Sequence, residues 1–189
     1  MAQTRKVVIV GGSRIPFVRS FTRYRNATNS ELVTTVLKSL VDKFQLQGKV
    51  LGEIVLGAVI KHSSDWNLAR ECVLSSGLSA DTPAFDLQQA CGTSLEAVIS
   101  VANKIALGQI EVGIGAGTDT NSDAPIGLKR GFSKRLVQTA KAADWKGRIA
   151  PWKGISPGDF GLDFPGIIEA RTGLSMGQHC EKMAQEWKI

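Results

Sequence analysis

The sequence reads as an α/β protein: a mostly parallel sheet with helices packed on it. Two observations predict this. Short β-branched apolar runs alternate with segments whose apolar residues recur at helical spacing, in the order β-α-β-α-β-α-β as far as Thr120. The composition, 43% apolar and 21% charged over 189 residues, is that of a globular chain long enough to bury a sizeable core without disulfide staples.

The elements follow in order. Residues 6–10, Lys-Val-Val-Ile-Val, form a β-branched run bounded by Gly11-Gly12 and read as a buried strand. Thr28 with Glu31 three residues on makes a capping box, and 30–44 then carries Leu32, Val33, Val36, Leu37, Leu40, Val41 and Phe44 at helical spacing. A second strand is expected over 53–60, a helix over 67–76 stopping at Gly77, and a third strand over 84–88. A helix from about 92 to 107 stops at Gly108, and a fourth strand spans 111–117. After Thr120 the alternation ends and 151–166 is rich in Pro and Gly. The chain is therefore divided into a sheet domain over 1–120 and an excursion over 121–189, with an amphipathic helix near 133–144 and a last helix near 177–187. There is no internal repeat and no low-complexity tract.

Composition excludes several classes. No apolar run approaches the roughly 20 residues of a membrane-spanning helix, and the N-terminus lacks the apolar stretch and cleavage site of a secretory signal. The three cysteines, Cys72, Cys91 and Cys180, are odd in number and read as thiols in a reducing, cytosol-like compartment. The formal net charge is +6. Residues 121–155 hold eight basic and two acidic side chains, so this one stretch carries the excess of the whole chain and the remainder is neutral. That points to a single basic surface element, not to a nucleic-acid-binding protein.

The stretch with the most chemistry is Asp86-Leu87-Gln88-Gln89-Ala90-Cys91-Gly92-Thr93-Ser94, where a strand ends, a tight turn follows and a helix starts at or just after Cys91. The first-turn N–H groups of a helix lack intrahelical partners and carry the positive end of its dipole, so a thiolate is favoured there. The small neighbours Ala90, Gly92, Thr93 and Ser94 let a substrate carbonyl approach the sulfur and the backbone N–H groups, as an acyl-transfer nucleophile requires. A buried cysteine filling a strand–helix junction fits the same spacing, and the residues alone leave both readings open.

Residues 86–98 resemble the active-cysteine motif of the thiolases, the acyl-CoA C-acyltransferases. Three further motifs occur in the family's order: Arg14-Ile15-Pro16-Phe17, Gly115-Ala116-Gly117-Thr118-Asp119 with Asn121-Ser122 and Ala124-Pro125, and the helix start Leu174-Ser175-Met176-Gly177. Pro125-Ile126-Gly127-Leu128 and the basic segment after it look closest to the thiolase subunit of the fatty-acid β-oxidation trifunctional complex. The resemblance implies a thiolase-like fold and makes Cys91 the nucleophile. On that resemblance the cysteine would take an acyl group from 3-ketoacyl-CoA, release acetyl-CoA and pass the acyl group to coenzyme A, a substrate and not a resident cofactor.

The resemblance also implies an activating His, a second acid/base Cys and an Asn-held water in sequence after the loop domain. By this alignment of motifs, 121–189 is a partial loop domain, the last strand of the sheet domain is absent and so is the family's second half. Turnover by the chain alone is not expected. Dimerisation through the first half is implied, in the cytoplasm of a bacterium or the mitochondrion of a eukaryote. A β-oxidation α-subunit is an implied partner. Met176 either lines the acyl pocket, as the matching family residue does, or packs in a core.

The remaining candidates read as structural. His62 and His179 are each expected to be satisfied or solvated. Cys72 and Cys180 are expected to pack, since neither has a strand–turn–helix setting. Gly11-Gly12 lacks the Gly-x-Gly-x-x-Gly spacing and Pro16 interrupts the following helix, which argues against a dinucleotide site. Asp119 and Asp123 have no metal-ligand pattern. The basic stretch suits coenzyme A phosphates, or an anionic membrane surface through Phe132, Leu136, Val137, Ala140 and Ala143 with Lys134, Arg135 and Lys141, or plain solvation. The competing whole-chain readings are a non-catalytic half that dimerises or binds acyl-CoA, and a ketoacyl-synthase-like enzyme, which Arg14–Phe17 and Met176-Gly177 disfavour.

Overall fold

The computed structural model describes residues 4–189. Backbone packing divides it into two units, one running to Ala124 and one spanning Pro125–Ile189. At the centre of the first lies β1 (Glu53–Gly57), paired in parallel with β2 (Ala84–Asp86) on one side and β3 (Gly113–Gly117) on the other. The register sets Ile54 opposite Ala84 and Ile114. A central parallel strand is covered on both faces and reads as a continuous apolar run, which is why Ile54, Val55 and Leu56 are all fully buried. The period of two sends Ile54 and Leu56 to one face and Val55 to the other.

On the first face Ile54 and Leu56 pack with Val33, Leu37 and Val41 of α1 (Asn29–Lys43) and Leu68, Ala69, Cys72 and Val73 of α2 (Leu68–Ser76). On the second, Val55 meets Ala97 and Val101 of α3 (Thr93–Ala106). The chain moves from β1 to β2 and then back past β1 to β3. Two crossovers of one hand in opposite directions place their helices on opposite faces, giving three layers. The capping box at Thr28 and Glu31 forms, and Gly77 closes α2 in the left-handed conformation. The strand expected over 53–60 stops at Gly57 because the N–H groups of Val59 and Ile60 turn to the Asp119 carboxylate.

The strand expected at 6–10 is not formed. Val8, Ile9 and Val10 are 66%, 84% and 78% exposed. At this end the segment is tied by a hydrogen bond from the Arg5 N–H to the Ala106 carbonyl, at the end of α3, and by the ion pair of Arg5 with Glu111, neither of them a strand ladder. A cavity of about 1140 Å³ lies between residues 5–20 and the surfaces of α1, α3 and β3, and β3 is an edge of the sheet. A β-branched run becomes a strand only beside a neighbour in register about 4.8 Å away, and the cavity separates these two.

In the second unit β4 (Gly127–Leu128) pairs antiparallel with β5 (Leu162–Asp163), and the helices are α4 (Arg130–Lys141), α5 (Trp145–Ile149) and α6 (Met176–Trp187). The helix expected near 133–144 starts earlier and breaks at Ala142, after which the Asp144 carboxylate accepts the Gly147 N–H at 2.7 Å and starts α5. Phe132 packs edge-on to Trp152 and tilted against Phe160, with ring centroids 5.7 and 5.0 Å apart. Arg135 donates to the Pro151 carbonyl and lies 3.7 Å from the Asp159 carboxylate. No residue of this unit is fully buried. Among the described residues no helix is long and apolar enough to cross a membrane.

Candidate active site

The link from β2 to α3 passes the carboxyl ends of the parallel strands, where open α/β sheets hold their ligands. Asp86, the last residue of β2, anchors it. Its carboxylate accepts the N–H groups of Leu68 and Ala69 at the start of α2, at 3.0 and 2.7 Å, and pairs with Lys61. Leu87 still bonds to β1 through its N–H and the Leu56 carbonyl. Gln88, Gln89, Ala90 and Cys91 then emerge as an exposed turn.

Ala90 has φ of +44°, in the region that side-chain-bearing residues rarely adopt. Such strain persists only where the surroundings impose it. Here Thr93 imposes it: its hydroxyl donates to the Ala90 carbonyl at 2.7 Å and accepts the Gln89 N–H at 2.9 Å. The backbone adds bonds from Gly92 N–H to Gln89 and from Thr93 N–H to Ala90. The Cys91 thiol is exposed, one residue before the N-cap Gly92 of α3. The helix starts two residues after the cysteine, so the thiol stands just outside its positive end.

Glycines let α3 come this close. A Cβ on Gly57 would lie 1.9 Å from the Leu87 carbonyl oxygen and 2.7 Å from Thr93 Cγ2, and one on Gly115 would lie 2.6 Å from the Val98 backbone.

The other candidates are dispersed. His62 directs Nε2 at both the carbonyl and the carboxylate of Asp123, at 3.1 and 3.2 Å. Two acceptors on one ring nitrogen require it to carry the proton. His179, in the second unit, has Nε2 2.9 Å from the Thr172 hydroxyl and 3.9 Å from Glu169. Cys72 is fully buried and burial pushes its thiol above the ordinary range. Cys180, expected to pack, is instead exposed on α6, because nothing within its own unit covers that helix face. Met176 is 72% exposed at the start of α6 and so packs in no core of its unit. Arg135 and Phe132 of the basic helix are engaged inside the second unit, while Leu136 and Val137 remain exposed. Among the described residues no three His, Cys, Asp or Glu side chains converge as a metal site would need.

Thr93, which by its size and place beside Cys91 would line the approach to the sulfur, does not do so. It is turned inward and is 4% exposed. The clamp it forms and the anchors Asp86 and Asp119 depend on the folded turn, and the local signal for the clamp is a Thr two residues after a Cys at a helix start.

A family model described as the thiolase N-terminal domain matches residues 7–189. The chain belongs to the thiolase family. Similar curated proteins include the 3-ketoacyl-CoA thiolases of Shewanella piezotolerans, 31% identical over 188 residues, and Shewanella baltica, 32% identical over 188 residues; each match takes in all of this chain and 43% of the relative. That of Colwellia psychrerythraea is 32% identical over 184 residues, covering 97% of this chain and 42% of the relative. The thiolase chain thus spans under half the length of these relatives. Its fold superposes on the crystal structure of a Bacillus anthracis acetyl-CoA acetyltransferase with a TM-score of 0.76 at 22% identity, covering all of this chain and 44% of that one. The α/β class with a mostly parallel sheet, expected from alternation, is the thiolase fold.

Proposed function

We propose that this chain is the nucleophile-bearing part of an acyl-CoA C-acyltransferase and that Cys91 is its nucleophile. The observation that carries the reading is the exposed Cys91 thiol on a clamped turn, beside a helix start at the carboxyl ends of the strands. In the thiolytic direction Cys91 Sγ bonds to the keto carbon of 3-ketoacyl-CoA and the negative charge moves to the carbonyl oxygen. As that oxyanion collapses, the C2–C3 bond breaks. Its electron pair stays on the acetyl-CoA carbon, which takes up a proton. The acyl thioester on Cys91 then passes to a coenzyme A thiol that gives up its proton, and the thiolate leaves. A thioester intermediate divides one hard cleavage into two displacements.

The chain is expected to complete the first transfer and not to cycle, because His62, the histidine of its unit, is hydrogen-bonded through Nε2 to Asp123 and not to Cys91. Intact-mass measurement after exposure to acetyl-CoA tests the proposal. A single acetyl adduct, absent in Cys91→Ala, is the expected result; an equal adduct in Cys91→Ala, or none in the wild type, overturns it. Multiple turnover by the purified chain would refute the single-transfer limit.

A second reading rests on the exposed edge of β3 and the apolar surface around the cavity beside it: the chain self-associates, most simply as a homodimer. Sedimentation across a concentration series decides this, and a monomer throughout would end it. The basic second unit adds an anionic-surface reading, supported by exposed Leu136, Val137, Trp145 and Ile149 among Lys134, Lys141, Lys146 and Lys153. Binding to phosphatidylserine vesicles that survives neutralisation of Lys134 and Lys141 would remove it.

A further inference from the structure

We infer that Thr93 is a positioning residue for Cys91: its buried hydroxyl locks the 89–93 turn, and the lock sets the reactivity of the thiol. The inference deepens the proposed nucleophilic role of Cys91 and rests on it for its functional meaning. Three observations converge. The hydroxyl is used in both senses, donating to the Ala90 carbonyl and accepting the Gln89 N–H, so it spans the turn on either side of the residue it constrains. Ala90, between those two contacts, holds φ of +44°, a conformation that an L-residue adopts at a cost and that relaxes unless held. The same side chain is buried, 4% exposed, so the hydroxyl cannot reach water in exchange for these two bonds without leaving the core.

The consequence runs through one peptide link. Cys91 follows Ala90 directly, and α3 begins at Thr93 itself. The residue that starts the helix is therefore also the one that decides where the preceding thiol stands relative to the helix's positive end. Serine keeps the hydroxyl and loses the methyl. Valine keeps the shape and loses both hydrogen bonds, leaving the Gln89 N–H and one bond to the Ala90 carbonyl unmade.

The test uses the three cysteines as each other's references. The whole chain, as wild type, Thr93→Val and Thr93→Ser, is alkylated with iodoacetamide and each cysteine is followed by peptide mass. Cys91 is expected to react about tenfold more slowly in Thr93→Val, the rate equivalent of one lost buried hydrogen-bond set. Exposed Cys180 should be unchanged, buried Cys72 still protected, and Thr93→Ser within about twofold of wild type. A Thr93→Val rate at Cys91 within twofold of wild type overturns the inference. So does a rise at Cys72, which would mean that Thr93 serves the fold and not the turn, and so does a Thr93→Ser variant as slow as Thr93→Val. Because iodoacetamide needs no acyl-CoA recognition, the outcome separates from the acyltransferase reading. Alkylation that follows the pattern without acetyl transfer from acetyl-CoA leaves the positioning role and removes the function.

Discussion

Replacing Gly57 by Ala tests how closely α3 and the Cys91 turn are seated on the sheet. Gly57 has no positive φ, so its backbone accepts alanine and the effect is one of space. The new methyl would stand 1.9 Å from the Leu87 carbonyl oxygen and 2.7 Å from Thr93 Cγ2. Leu87 cannot retreat without breaking its bond to Leu56, and Thr93 cannot without opening the turn. Overpacking by one methyl costs about 1–3 kcal/mol, and a clash with backbone belongs at the upper end. Replacing a strand glycine returns roughly 0.5–1 kcal/mol. The net expectation is a loss of about 2 kcal/mol, which for a unit of this size lowers Tm by about 8 °C. Calorimetry, with hydrogen exchange of the β1 peptide to assign the transition, reads it. Gly12→Ala, where a Cβ meets nothing within 4 Å, serves as the control and should melt with the wild type. The same Gly57→Ala protein should alkylate more slowly at Cys91. A Gly57→Ala melting point within about 2 °C of wild type would refute the close seating of α3 on β1.

Asp86→Ala removes the acceptor of two α2 N–H groups and the partner of Lys61, and should lower the urea-derived stability by about 2–3 kcal/mol. Hydrogen bonds from the Thr28 N–H, and then from its hydroxyl, hold the Glu31 carboxyl below its ordinary 4.5. Its stabilising effect is therefore present above that ordinary value and lost as pH falls through the lower folded-state value, so Glu31→Gln should flatten the acid limb of the stability profile. Amides of residues 6–10 should exchange within seconds while those of Ile54, Val55 and Leu56 remain protected, as hydrogen-exchange mass spectrometry would resolve. Cys72 should resist a thiol reagent until urea unfolds the first unit, its thiol being both enclosed and raised by burial.

Local chemistry made much of this protein legible from its residues. The Thr28–Glu31 pair, Gly77 and Gly108, the apolar spacing of 30–44 and the apolar run at 53–60 each act within a few residues, so helices α1, α2 and α3 and the start of the central strand were readable to within a few positions. The motif around Cys91 was readable for the same reason, and it led to the thiolase family. Tertiary structure decided what depends on distant partners. Residues 6–10 have strand composition but no strand, because a ladder needs a neighbour in register and a cavity stands in its place. Strand β1 ends at Gly57 and not at 60 because Asp119, some sixty residues on, takes the next N–H groups. Phe132 and Arg135 look from spacing like the exposed face of a basic helix, yet Trp152, Phe160, Pro151 and Asp159 claim them. Thr93 passed for a small residue making room for substrate; only the folded turn gives its hydroxyl two backbone partners at once. Sequence by itself determined the family and the local motif that holds the candidate nucleophile. The fold decided how that motif is held, since hydrogen-bond partners and close backbone approach are set by packing between segments far apart in the chain.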